Sequence, residues 1–303
     1  MIPRLRQLIA ENPSWLYSPS SKISFLKTST PTSGTKRSQG KIVLFVFESG
    51  RKLPTLCVKA TRVYSAAEII NRNYTNLRLL IDHALKNTTN SIFAKPLYFY
   101  DDGVEAFCIE TVCPGERFSV KNSSYELVLK QYGVWQTGLA VSHKKILGAK
   151  DLQRIAFSAI HELEMSSESA RLLENYYSSL SIDKNIKLPE ILQHGDMTPD
   201  NVLVSGNKIY FIDYDYVGLS MLPGFDLFHF LSKSKQRAEL AGSFYSSLLR
   251  HLADYFENID VEVSVYDGFL FLYYLQESVR KGVGQKKDGA ELIADFEKLL
   301  EKA

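Results

Sequence analysis

The spacing of apolar positions changes once along the chain. Up to residue 111 the apolar residues fall in short runs rich in β-branched and aromatic side chains. Residues 22–28 (KISFLKT), 41–48 (KIVLFVFE) and 53–61 (LPTLCVKAT) predict three strands. The first two flank STPTSGTKRSQG, residues 29–40, whose small polar composition reads as a loop. Ser49-Gly50-Arg51-Lys52 is a hairpin turn signal between the second and third, so the three form an antiparallel meander. A helix follows. Ser65 suits the N-cap and Glu68, three residues on, completes a capping-box pattern. Ile69, Leu77, Leu79 and Leu80 supply its apolar positions toward Leu85. Two further strands, 96–100 and 106–111, are joined by the turn signal Asp101-Asp102-Gly103.

Beyond Cys113-Pro114-Gly115 the apolar spacing becomes three and four. Residues 124–142, 151–180, 237–257 and 267–280 read as amphipathic helices, with a last one near 290–301. Only 190–216 interrupts them, as a strand–loop–strand insert. The expected organisation is α+β: residues 1–112 as a small antiparallel sheet with one helix, and 113–303 as a larger, mainly helical lobe.

Composition narrows the class without naming a function. The 303 residues are 45% hydrophobic and 23% charged, near soluble globular averages, which excludes disordered, collagen-like and coiled-coil chains. A net charge of +2 announces no nucleic-acid or membrane-surface partner. Apolar runs such as 269–275 are about a third of the ~20 residues that span a bilayer. The N-terminal MIPRLRQLIAENPSW lacks a signal-peptide core. Cys57, Cys108 and Cys113 form no CxxC pair, which fits a reducing compartment. A cytoplasmic protein is expected. The charge is unevenly placed: residues 1–60 carry ten Lys/Arg against two Glu, +8, and the remainder carries −6.

The informative stretch is QHGDMTPDNVLVSGNKIYFIDYDY, residues 193–216. Asp196, Asn201 and Asp213 lie on polar turns at the ends of apolar strands. A carboxylate, an amide oxygen and a second carboxylate are proton acceptors or hard ligands, and suit Mg²⁺, which takes few protein ligands. His194-Gly195-Asp196-Met197-Thr198-Pro199-Asp200-Asn201, followed by Phe211-Ile212-Asp213-Tyr214-Asp215 and Leu222-Pro223-Gly224-Phe225-Asp226-Leu227, resembles the aminoglycoside phosphotransferase and choline kinase group. The resemblance runs from about Lys22 to Leu275 and implies a bilobal protein-kinase-like fold. It implies Asp196 as the base that accepts or orients the acceptor hydroxyl, and Asn201 and Asp213 as the Mg²⁺ ligands on the phosphates of ATP. His194 reads as structural, Asp215 as a group behind the metal ligands or a surface carboxylate, and Asp226 as a pin for the loop after the metal site.

Lys59 lies among apolar residues on the third strand, where a charge is costly unless paired; the resemblance makes it the contact to the α- and β-phosphates. Two departures stand out. Residues 29–40 contain Gly34 and Gly40 but no GxGxxG, so Gly34 with neighbouring backbone amides is the expected phosphate cover. The helix after Lys59 offers Glu68 as the only early acid, whereas its partner is expected near Asn73. The hinge falls at residues 109–112, where the Glu110 carbonyl and the Val112 amide would meet the adenine. The function implied is transfer of the γ-phosphoryl group of ATP to a hydroxyl-bearing small molecule: a sugar, amino sugar, aminoglycoside or amino alcohol. The −6 of the residues after 60, most of it in the larger lobe, favours a cationic amine, and the run LPGFDLFHF favours a sugar. The missing glycines and the displaced acid favour, as alternative, a weak or inactive nucleotide-binding module. A protein kinase proper is disfavoured by the absence of HRD, DFG and APE triplets and by the short interval from Asp213 to Asp226.

Overall fold

The computed structural model describes residues 1–28, 41–84, 92–119, 125–140, 145–180, 183–237, 244–261 and 267–300. The chain forms two compact units. One comprises Met1–Glu116 and Leu203–Asp215, the other Arg117–Val202 and Tyr216–Ala303. The division falls after Glu116 rather than after residue 112, and the hairpin that follows the candidate catalytic loop clusters with the first unit.

The first unit is built on a five-stranded antiparallel sheet: β1 (Ile23–Thr28), β2 (Ile42–Glu48), β3 (Leu56–Thr61), β4 (Pro96–Asp101) and β5 (Ala106–Thr111), in the order β1-β2-β3-β5-β4. Alternation along the central strands separates two faces. Leu44, Val46, Leu56, Val58, Ala60, Phe107 and Ile109 form a dry core on one face. The opposite face of β3 and β5 carries Cys57, Lys59, Cys108 and Glu110. Both faces of β3 are buried, which is why Lys59 sits in an apolar run.

Helix α1 (Ile2–Glu11) was not expected from the sequence. Leu5 and Ile9, one turn apart, are buried in the sheet core, each contributing about 1.5–3 kcal/mol by burial. The Met1 ammonium pairs with Glu105 at 2.7 Å and Arg4 with Asp102 at 2.6 Å, holding α1 to the β4–β5 turn. Two apolar positions are too few to stand out as a stripe, so the helix depends on the sheet it covers. Helix α2 (Tyr64–Ala84) packs on β3, β4 and β5.

The second unit begins with the end of the two-residue strand β6 (Glu116–Arg117). Its helices are α3 (Tyr125–Ala140), α4 (Ala149–Glu162), α5 (Ser167–Ser179), α6 (Phe225–Arg237), α7 (Phe244–Asn258), α8 (Asp267–Lys281) and α9 (Gly289–Leu299). Strands β7 (Ile146–Leu147) and β8 (Leu188–Pro189) form a short pair. The single helix expected at 151–180 is two. Glu164 is in the left-handed region, φ 54°, and Ser166 caps α5 by accepting the Ser169 N–H. Helix α6 was read only as an aromatic run: its first turns are buried all round, Asp226 and His229 as fully as Phe225 and Phe230, so no exposed polar face marks where it begins. β9 (Val202–Ser205) and β10 (Lys208–Phe211) form the hairpin that links back to the first unit. Among the described residues no helix is long and apolar enough to cross a membrane.

Candidate active site

In the first unit the chemistry gathers around Lys59. Its Nζ donates to Asn73 Oδ1 at 2.8 Å and lies 3.1 Å from Glu110 Oε1. The register explains the pair: Glu110 is opposite Cys57, and Lys59 opposite Cys108, so the two are diagonal neighbours on one face. The Tyr214 ring lies 4.9 Å from the ammonium, within cation–π reach. Burial works against the charge, but Glu110, helped by Asp213, holds the ammonium above its ordinary range.

Asp213 follows β10 and has φ 68°, a conformation that costs a non-glycine residue strain and clusters at functional sites. Lys41 Nζ bridges Asp213 Oδ1 at 3.1 Å and Asp215 Oδ2 at 2.9 Å. Burial lowers the Lys41 pKa, but the two carboxylates more than offset it. Asn73 Nδ2 completes the network by donating to Asp215 Oδ1 at 2.8 Å. Asn73 thus joins the Lys59 cation to the carboxylates after β10.

In the second unit the loop 193–201 is held by buried polar groups. Gln193 accepts from Tyr132 and donates to Gln136. Asp226, on the first turn of α6, accepts the His194 and Gly195 N–H groups at 2.6 and 2.8 Å. Burial pushes Asp226 up to about 7, against the two N–H bonds. Asp226 therefore pins the loop before the hairpin, rather than the one after the metal-ligand candidate. Gly195 has φ 80°, and a Cβ there would lie 2.0 Å from the Tyr216 carbonyl oxygen, so only glycine lets the backbone pass. His194 is fully buried, with Nδ1 accepting the Asp196 N–H at 3.4 Å, a supporting position.

Asp196 is thereby presented in a dense polar cluster. Its Oδ2 accepts from Asn201 Nδ2 at 2.9 Å, and its Oδ1 lies 3.0 Å from Arg280 Nη1 and 3.2 Å from His229 Nε2. His229 is fully buried, with Nδ1 3.0 Å from Glu277 Oε2. Arg280 binds Glu277 through Nε at 2.8 Å and Nη2 at 2.9 Å. Burial would raise the Glu277 pKa, but His229 and Arg280 hold it well below the usual carboxylate range.

The expected residues now have places. Lys59, Asp213, Glu110 and Val112 are in the first unit, and Asp196 and Asn201 in the second. Asn201 uses its amide protons on Asp196 O and Oδ2, which leaves Oδ1 as its acceptor. The Val112 N–H donates to Thr55 O at 3.3 Å. Gly34 and the rest of its loop lie outside the described residues. Glu68 is corrected: it is exposed on α2, and the partners of Lys59 are Asn73 and the Glu110 side chain. The helix presents an amide at the expected height, and the carboxylate comes from β5. Lys41, His229, Glu277 and Arg280 were missed, because nothing along the chain marks them; His229 and Arg280 meet Asp196, and Glu277 meets those two, only through helices α6 and α8. Among the described residues no group of three or more His, Cys, Asp or Glu side chains is placed to hold a metal ion. A carboxylate and an amide oxygen nonetheless suit a hard cation that keeps water and phosphate in its shell.

Residues 151–257 match the profile of a family described as "Phosphotransferase enzyme family"; the match contains Asp196, Asn201, Asp213 and Asp226. A comparison with curated proteins returns no match. Among solved structures, the chain is similar to an amicoumacin kinase in complex with AMP-PNP, Ca²⁺ and Ami (TM-score 0.52, 14% identity, 99% of this chain and 96% of that one). It is similar to a putative fructosamine-3-kinase from Thermobifida fusca (0.53, 13%, 96% of each chain). It also resembles a thermostable aminoglycoside phosphotransferase mutant in ternary complex with ADP and hygromycin B (0.53, 14%, 97% of each). The architecture is thus the protein-kinase-like fold of these enzymes. The matched segment carries the similarity to phosphotransferases, and the rest of the chain shares the fold.

Proposed function

We propose that this protein transfers the γ-phosphoryl group of ATP to a hydroxyl of a small molecule, with Asp196 as the base. The observation that carries the reading is the presentation of Asp196: a loop fixed by Asp226 and Gly195, with both carboxylate oxygens held by Asn201, His229 and Arg280. Such positioning supplies much of phosphoryl-transfer catalysis. Asp196 takes the hydroxyl proton as the new O–P bond forms and the bond to the β-phosphate oxygen breaks, releasing ADP. Lys59 binds the α- and β-phosphates. Asn201 Oδ1 and the Asp213 carboxylate are the ligands for Mg²⁺, which when bound neutralises charge on the phosphoryl oxygens. The Glu110 carbonyl takes the adenine; the Val112 amide, already given to Thr55 O, would have to exchange that bond to join it.

The case for an inactive module rested on a Lys59 without its acid. Glu110 supplies that acid, which favours an active enzyme. The test is a transfer screen across sugars, amino sugars, aminoglycosides and amino alcohols with ATP or GTP and Mg²⁺. Asp196→Ala and Asp213→Ala should abolish transfer, and nucleotide with Mg²⁺ should raise the Tm of the wild type. Full transfer by either variant would overturn the assignment.

A further inference from the structure

Positive charge beside Asp196 exceeds what the fold needs. Glu277, on α8, is a buried carboxylate, and its charge is matched by the two-point contact from Arg280. Two more cations approach the same carboxylate: Lys281 Nζ at 2.7 Å and Lys233 Nζ, from α6, at 3.7 Å from Oε1. His229 faces it from the other side. Burial, and after it the neighbouring Lys281, brings Lys233 down to about 8. Three basic side chains, Arg280, Lys233 and Lys281, thus converge on the single Glu277 carboxylate. Arg280 ties the cluster to the reacting position through its 3.0 Å contact with Asp196 and lies 5.1 Å from the half-exposed Tyr216 ring.

We propose that the acceptor carries an anionic group, a phosphate or a carboxylate, which Arg280, Lys233 and Lys281 bind beside Asp196. The proposal rests on Asp196 being the base. An anion balances the excess charge of the cluster and brings its own hydroxyl within reach of that base. A polycationic amine meets like charge there and is discriminated against. The net −6 of residues 61–303 is therefore a poor guide to the acceptor, because the basic cluster beside Asp196 has the opposite sign to the sum.

The experiment compares matched hexoses, namely glucose, glucosamine, glucuronate and glucose 6-phosphate, with kanamycin as a polycation. Each is scored by calorimetric binding and by ATP-dependent transfer, on the wild type and on Lys281→Gln and Lys233→Met. The expected result is that the anionic members bind and react in preference. Each variant should weaken their binding and raise KM about tenfold while kcat is largely kept, as for loss of one charged contact. Preference for neutral or cationic members, no binding by any anionic member, or unchanged binding in both variants overturns the proposal. Charge-selective binding with no transfer to any member, and no stabilisation by nucleotide with Mg²⁺, sinks the phosphotransferase reading instead.

Discussion

Removing the carboxylate from Glu110 tests the Lys59 pair. Glu110 and Lys59 are 5% and 6% exposed, with 3.1 Å between their charged atoms. Glu110→Leu strands the ammonium in a buried site with the Asn73 amide oxygen, the Tyr214 ring and the weaker attraction of Asp213. Breaking a buried pair from one side costs about 3–5 kcal/mol. At roughly 2–4 °C per kcal/mol in larger domains, the Tm should fall by about 6–20 °C. Lys59→Met leaves the opposite charge uncompensated and should cost a similar amount. The double variant removes both charges, leaving mainly Asn73 Oδ1 without its donor, a loss of about 1–3 kcal/mol. Calorimetric unfolding of the four proteins gives the coupling, expected at or above the top of the ~0.5–3 kcal/mol range for contacting residues. Transfer activity separates the roles, since the double variant should be stable yet inactive. Additive losses, or a single-variant cost under about 1 kcal/mol, would refute a pair that both orients Lys59 and supports the fold.

Three further outcomes follow from the same geometry. Gly195→Ala combines a left-handed backbone cost of about 1–2 kcal/mol with a Cβ 2.0 Å from Tyr216 O; denaturant unfolding should register at least that loss, and a neutral change would show the loop is looser than described. Lys41→Met removes the ammonium bridging Asp213 and Asp215, so calorimetric titration with Mg²⁺ and ADP should show severalfold tighter metal binding; unchanged affinity would mean Lys41 does not compete for those carboxylates. Glu277 has a folded pKa below its ordinary 4.5, so the stability it contributes is present above that value and is lost as pH falls below it. Glu277→Gln should flatten the acid limb of the stability–pH curve, and an identical limb would contradict the ion network.

The helices that were legible carry an apolar stripe and a polar face, as α2, α7 and α9 do, or a long apolar run, as α8 does. Helix α1 fully buries only Leu5 and Ile9, and the first turns of α6 are buried all round, Asp226 and His229 included. The split of residues 149–179 into two helices turned on Glu164 and Ser166, whose effect on a backbone is local and easily outvoted by a continuing apolar period.

The candidate site divides in the same way. Asp196, Asn201 and Asp213 were readable because a loop between short strands fixes their order and spacing along the chain, and Lys59 because a charge in a buried strand needs a reason. Their partners were not. Glu110 reaches Lys59 through strand register, Asn73 through the packing of α2 on the sheet, and His229 and Arg280 reach Asp196 from helices far away in sequence. Local covalent spacing is written in the chain, so the sequence alone specified the order and spacing of the candidate loop residues. Long-range pairing depends on which faces the core buries, and only the tertiary structure decided which charges surround that loop.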